Sequence, residues 1–194
     1  MDRYRYTLLL ILLLPIIAAG IGSYLAEREV LNSSLIQVSL GAGLICGVSA
    51  LFAHYLKSRI THSMLLLSIF FVTILTRLTI KSPVNLISLL MVNLVFGYVN
   101  HLMIIKIFYH KDLARIRTLF VGIGGGVIFG IYLPYLYSLV GVRLEGTFST
   151  FFMFGLIVYV FIAFSMSMAD LIIIKSEVED LQNRQSYDED ESDQ

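Results

Sequence analysis

The stretch TLLLILLLPIIAAGIGSYLA, from Thr7 to Ala26, holds no charged side chain, and its length decides the class of fold. An α-helix needs ~20 apolar residues to cross ~30 Å of hydrocarbon. Five further apolar stretches follow it: Leu35 to Leu56, Ile60 to Ile80, Val84 to Ile105, Ile116 to Leu139 and Phe148 to Ile174. The chain therefore reads as all-α, a polytopic membrane bundle of six transmembrane helices with both termini on the same side. Residues 1–175 are expected to form the transmembrane domain, 176–185 a cytoplasmic helical extension and 186–194 a disordered acidic tail.

Composition agrees with that class. The chain is 57% hydrophobic and 14% charged, with a mean hydropathy of +0.82. Soluble domains carry roughly 25% charged residues. The cations sort by connection. Arg3, Arg5, Lys57, Arg59, Lys106, Lys111, Arg115, Arg117, Lys175 and Arg184 fall on one side, against Arg28, Arg77, Lys81 and Arg143 on the other. Short cytoplasmic loops hold the excess of Lys and Arg, so both termini are assigned to the cytoplasm and the protein to the plasma membrane. Arg3 and Arg5 ahead of Leu8 to Leu14, with Ala18-Ala19-Gly20 beyond, also have the layout of a signal peptide. The apolar run continues to Leu25, which favours a retained first span.

Between spans three and four, Lys81-Ser82-Pro83 has the residues of a tight hairpin, with Ser as a cap and Pro in the first helical turn. The run from Tyr109 to Arg117 is the longest basic connection and reads as a short interfacial helix entering span five. Beyond Lys175, Leu171, Ile174, Val178 and Leu181 keep a three-four spacing, which makes a short stalk that needs a partner helix. A cytoplasmic partner at this C-terminal helix and at the basic 106–117 loop is one expectation. A homo-oligomer or a larger membrane complex is another, and nucleic acid is not expected.

Gly41, Gly43, Ile45 and Gly47 match Gly124, Gly126, Ile128 and Gly130 at a fixed offset. A three-span unit repeated once must be inverted in the bilayer, so a 3+3 inverted repeat, an architecture recurrent in transporters, is a reading of these residues. The same glycines allow a plainer one. Gly43 with Gly47, and Gly122 with Gly126 and Gly130, recur every fourth residue, the spacing that lets membrane helices approach closely. Pro15 removes a backbone donor within the first span.

Polar residues inside apolar helices are costly and point to function or to interhelical bonding. Asn93 lies roughly 14 Å below the outer start of span four, near the midplane, and Gly97 and Asn100 share its face. His101, Asn100, Asp170 and His54 cluster by topology near the cytoplasmic end, as a candidate proton-coupled gate or cation site. Arg77 lies one turn before Lys81, where it can anchor the span in the headgroups or hold an anion.

No G-x-S-x-G, P-loop, dinucleotide or H-E-x-x-H motif occurs, and Cys46 is the single cysteine. Catalysis, a cofactor and a bound metal are therefore not expected. Two functions remain. One is a permease or the membrane subunit of a transporter, moving a small solute or ion by alternating access around Asn93. The other is a membrane scaffold or sensor that recruits a cytoplasmic partner.

Overall fold

The computed structural model describes residues 2–26, 33–54, 59–79, 85–141 and 146–192, and within them it is helical without a strand. Helix α1 spans Asp2–Ala26, α2 Ser33–His54, α3 Arg59–Thr79 and α4 Leu86–Met103. A π-turn over Ile104–Phe108 prolongs α4. After a 3-10 turn at Lys111–Leu113 the chain enters α5, Arg117–Val127. A second π-turn, Ile128–Tyr132, joins α5 to α6, Leu133–Leu139, as one rod. Helix α7 runs over Phe148–Ser192.

Five of these helical stretches are long and apolar enough to cross a bilayer: Tyr6–Ala26, Leu35–His54, Leu86–Phe108, Arg117–Leu139 and Phe148–Lys175. The third apolar stretch forms α3, whose described part, His62–Leu78, is a shorter apolar helix.

The chain order maps onto a ring. Helix α1 packs on α2 and α7, α2 on α3, α3 on α4, α4 on the α5–α6 rod, and the rod on α7. Helix α2 also reaches α4 and α7, so it sits innermost. The reason lies in its side chains: Leu35, Val38, Ala42, Ile45, Cys46 and Ala50 are small or aliphatic and fully buried. Outward faces are as apolar as the core. Leu9, Leu13, Ile17, Leu66, Leu67 and Phe71 are exposed, a surface suited to lipid rather than to water. An open groove of about 530 Å³ between α1, α2 and α3, lined by Leu12, Leu44, Val48, Met64 and Phe71, continues that apolar surface.

Glycine sets the closest contacts. A Cβ on Gly43 would stand 2.6 Å from the Pro15 carbonyl oxygen, and one on Gly47 2.8 Å from that of Leu12. Helix α1 therefore lies on α2 backbone to backbone. On the other side of the ring α7 aromatics lie on the rod: Tyr159 on Gly125, Phe152 on Gly126 and Phe148 on Gly130. Val160 meets Gly122, and Gly155 faces the Gly125 carbonyl.

One connection differs from the sequence reading. The Tyr109–Arg117 segment is a 3-10 turn rather than an interfacial helix, since His110 adopts extended backbone (φ −75°, ψ 125°) and interrupts helical bonding. The α7 backbone, for its part, is helical through Ser192. The hairpin at Lys81-Ser82-Pro83 and the positions of Arg28, Lys57 and Arg143 lie outside the described residues.

Candidate functional site

The buried polar side chains line up along α4. Its inward face, Leu89, Val92, Asn93, Phe96, Gly97, Asn100 and Met103, repeats every three or four residues, so both asparagines turn into the bundle. Each finds a hydroxyl on a different helix. Asn93 Nδ2 donates to Thr73 Oγ1 of α3 at 3.2 Å, and Asn93 is 1% exposed. About two turns further on, the Tyr159 hydroxyl of α7 donates to Asn100 Oδ1, while Asn100 Nδ2 donates to the Phe96 carbonyl at 2.8 Å. Gly97, between them, lies against Ile69 of α3, which leaves no room there for a side chain.

His101 takes a third partner. Its Nδ1 lies 3.0 Å from Ser49 Oγ of α2, and Ser49 spends its own proton on the Ile45 carbonyl at 2.7 Å. Nδ1 must therefore be the donor, which leaves Nε2 as an acceptor in the neutral ring. Phe52 packs edge-on against both His101 and His62.

At the same end of the bundle four elements meet on one carboxylate. Asp170 of α7 is 9% exposed. Its Oδ1 accepts from His54 Nε2 at the last residue of α2 (3.0 Å) and from the Tyr109 hydroxyl (3.2 Å). Its Oδ2 faces Arg117 Nη1 at the first residue of α5, at 3.4 Å. The Arg117 guanidinium also lies 4.4 Å above the Phe108 ring. Burial, then the Asp170 carboxylate, pushes the Tyr109 phenol well above its ordinary value, so it stays protonated and donates. The chemistry is that of a buried latch: one acceptor on α7 ties the ends of α2, α4 and α5.

Of the four residues expected to cluster, the structure brings His54 and Asp170 together and gives Asn100 and His101 separate partners. The reason is helical phase. His101 is one residue from Asn100, about 100° around the helix, so the two cannot face one neighbour. Arg77 is half-buried in the last turn of α3. Sequence reading missed Tyr159 and Ser49 and treated Tyr109 and Arg117 as anchor and loop. Tyr159 has no signal of its own, standing among aromatic and aliphatic neighbours. Arg117 had one: it begins an apolar span and is the cation that α5 carries inward.

No family model, no curated protein and no solved structure matches this chain.

Proposed function

We propose that the protein is a six-span plasma-membrane permease, or the membrane subunit of a transporter. Both termini are cytoplasmic, and a small solute or ion passes by alternating access along the polar face of α4, around Asn93. One observation carries this reading. The buried polar pairs Thr73–Asn93 and Tyr159–Asn100 and the part-buried pair Ser49–His101 follow one another along a single helix, toward the end that carries the Asp170 latch. A bundle held only by packing has no need of a polar series running along its interior, since each buried group must be satisfied at a cost. The glycine contacts of α1 on α2 and of α7 on the rod supply smooth faces on which two halves can rock. A 3+3 inverted repeat relating Gly43 and Gly47 to Gly126 and Gly130 belongs to the same reading.

The test is reconstitution of the full chain into liposomes on a solid-supported membrane, with currents recorded after jumps of Na+, K+, H+ and a panel of small neutral and charged solutes. A current is expected for at least one jump, and Asn93→Leu should abolish it at equal protein per vesicle. Silence of the wild type in every jump, or equal currents in Asn93→Leu, overturns transport. The scaffold reading rests on a different observation, the helical backbone of α7 through Ser192. Removing residues 176–194 separates the two, since a scaffold then loses its cytoplasmic partner and a transporter keeps its current.

A further inference from the structure

The Asp170 carboxylate fastens both ends of the connection between α4 and α5. Tyr109, just past the span that ends at Phe108, and Arg117, the first residue of α5, both reach it. Between them the backbone turns on itself. Leu113 N–H donates to the His110 carbonyl (3.1 Å), Ala114 N–H to that of Lys111 (3.4 Å) and Ile116 N–H to that of Leu113 (3.0 Å). Residues 109–116 are all that separates two spans, so a connection so short and so turned stays at the end of the bundle, level with lipid headgroups.

Its outward side is cationic. Lys106, Lys111 and Arg115 are exposed, and none of them makes a hydrogen bond or an ion pair among the described residues. Asp112 is the exposed acid of the segment, and it faces His110 at 3.8 Å. Arg117 is already spent on Asp170 and the Phe108 ring. The three cations outweigh the one carboxylate, and the surface attracts anions.

Apolar side chains continue directly from these cations. On α4, Tyr98, Leu102 and Lys106 recur every fourth residue, with Tyr98 58% and Leu102 37% exposed. On α5, Arg115 is followed by exposed Ile116, Leu119 and Phe120. A water-soluble acidic partner would match the charges and leave the apolar side chains beside them uncovered. A phospholipid matches both, with its phosphate over its acyl chains. The chain's own acidic tail is carried away from this surface. Helix α7 continues past Asp170 to Ser192, which puts Asp188 roughly 27 Å further along its axis.

We infer that Lys106, Lys111 and Arg115, on the connection that the Asp170 latch holds, bind the headgroup of an anionic phospholipid whose acyl chains lie along the exposed faces of α4 and α5. The connection is folded before the lipid arrives, so little freedom is lost on binding. Only the name of the leaflet, cytoplasmic, comes from the orientation proposed above; the binding does not rest on transport.

The experiment is thermal unfolding of the purified full-length protein in a neutral detergent, titrated with phosphatidylglycerol, phosphatidylcholine, glycerophosphate or a short poly-glutamate peptide. Phosphatidylglycerol should raise Tm saturably, and the other three should not. Lys106→Gln, Lys111→Gln and Arg115→Gln should each weaken the apparent affinity for phosphatidylglycerol about fivefold, and the triple variant should lose the shift. Asp112→Asn should strengthen it. All four side chains are exposed, so each variant is compared with its own lipid-free Tm at little cost to folding. Equal shifts with the two lipids overturn the site, as does a phosphatidylglycerol shift that survives the triple substitution. A matching shift with glycerophosphate or with poly-glutamate overturns the lipid in favour of a soluble phosphate or an acidic protein. An affinity that rises on removal of residues 186–194 shows that the acidic tail covers this surface, and the assignment fails. Transport is judged by currents alone, so its failure and the failure of this site are read separately.

Discussion

Tyr159→Phe removes one oxygen from the middle of the bundle, and the structure fixes what should follow. The Tyr159 hydroxyl donates to Asn100 Oδ1, both residues are 0% exposed, and Asn100 Oδ1 sits where no water is at hand. The loss is therefore not one neutral hydrogen bond but a buried acceptor left bare. Interhelical hydrogen bonds in membranes measure on average ~0.6 and at most ~1.7 kcal/mol, and an orphaned buried group costs about 1–3 kcal/mol. A destabilisation of about 1–2 kcal/mol lies where these ranges overlap. For a chain of this size each kcal/mol lowers Tm by about 2–4 °C. Asn100→Leu orphans the hydroxyl instead and should cost a similar amount. The double variant Asn100→Leu/Tyr159→Phe leaves neither partner unsatisfied, so it should lie close to wild type, with a coupling of about 1 kcal/mol or more. The assay is thermal unfolding of the four proteins in one detergent, read by a dye that reports on Cys46, which is buried in the folded bundle. Additive losses in the double variant would refute the pairing of α4 with α7 through these two side chains.

Two further substitutions test the contacts that close the ring. Gly47→Ile places a branched side chain where a Cβ alone would stand 2.8 Å from the Leu12 carbonyl, so α1 should separate from α2 and the detergent-solubilised protein should aggregate; a monodisperse protein with wild-type Tm would contradict the backbone contact. Asp170→Asn keeps one acceptor for His54 but loses the charge facing Arg117, a partly exposed pair worth about 1–2 kcal/mol. Trypsin should then cut faster at Lys111, Arg115 and Arg117, and an unchanged digestion rate would show that Asp170 does not hold this connection.

The architecture was legible because hydrocarbon imposes one rule on every residue of a span. Apolar length can be counted residue by residue, so five of the expected stretches reappear as helices long enough to cross, with a shorter apolar helix at the third. The inward face of α4 was legible for a related reason, since Asn93, Gly97 and Asn100 share a phase that depends on the helix alone. Their partners were not. Which hydroxyl an asparagine meets depends on the rotation and height of a second helix, and Thr73 and Tyr159 come from helices twenty residues before and fifty-nine after.

The same distinction explains why the two ends of the bundle differ in what the sequence revealed. Asp170 and His54 drew attention because a carboxylate or an imidazole near an apolar span is rare, and the structure brings those two together. Tyr137, buried to 1%, drew none. A tyrosine near a span end reads as an interfacial anchor. Prolines inside spans carry a signal of another kind: Pro15 and Pro134 each strip one carbonyl of its donor. In a membrane such a carbonyl cannot be left to water, so the informative question is which atom takes the place of the missing N–H. At Pro15 the carbonyl that loses its donor is that of Ile11, and the neighbouring helix gives the answer: Gly47 of α2 lies against it, and weak Cα–H donors are at hand.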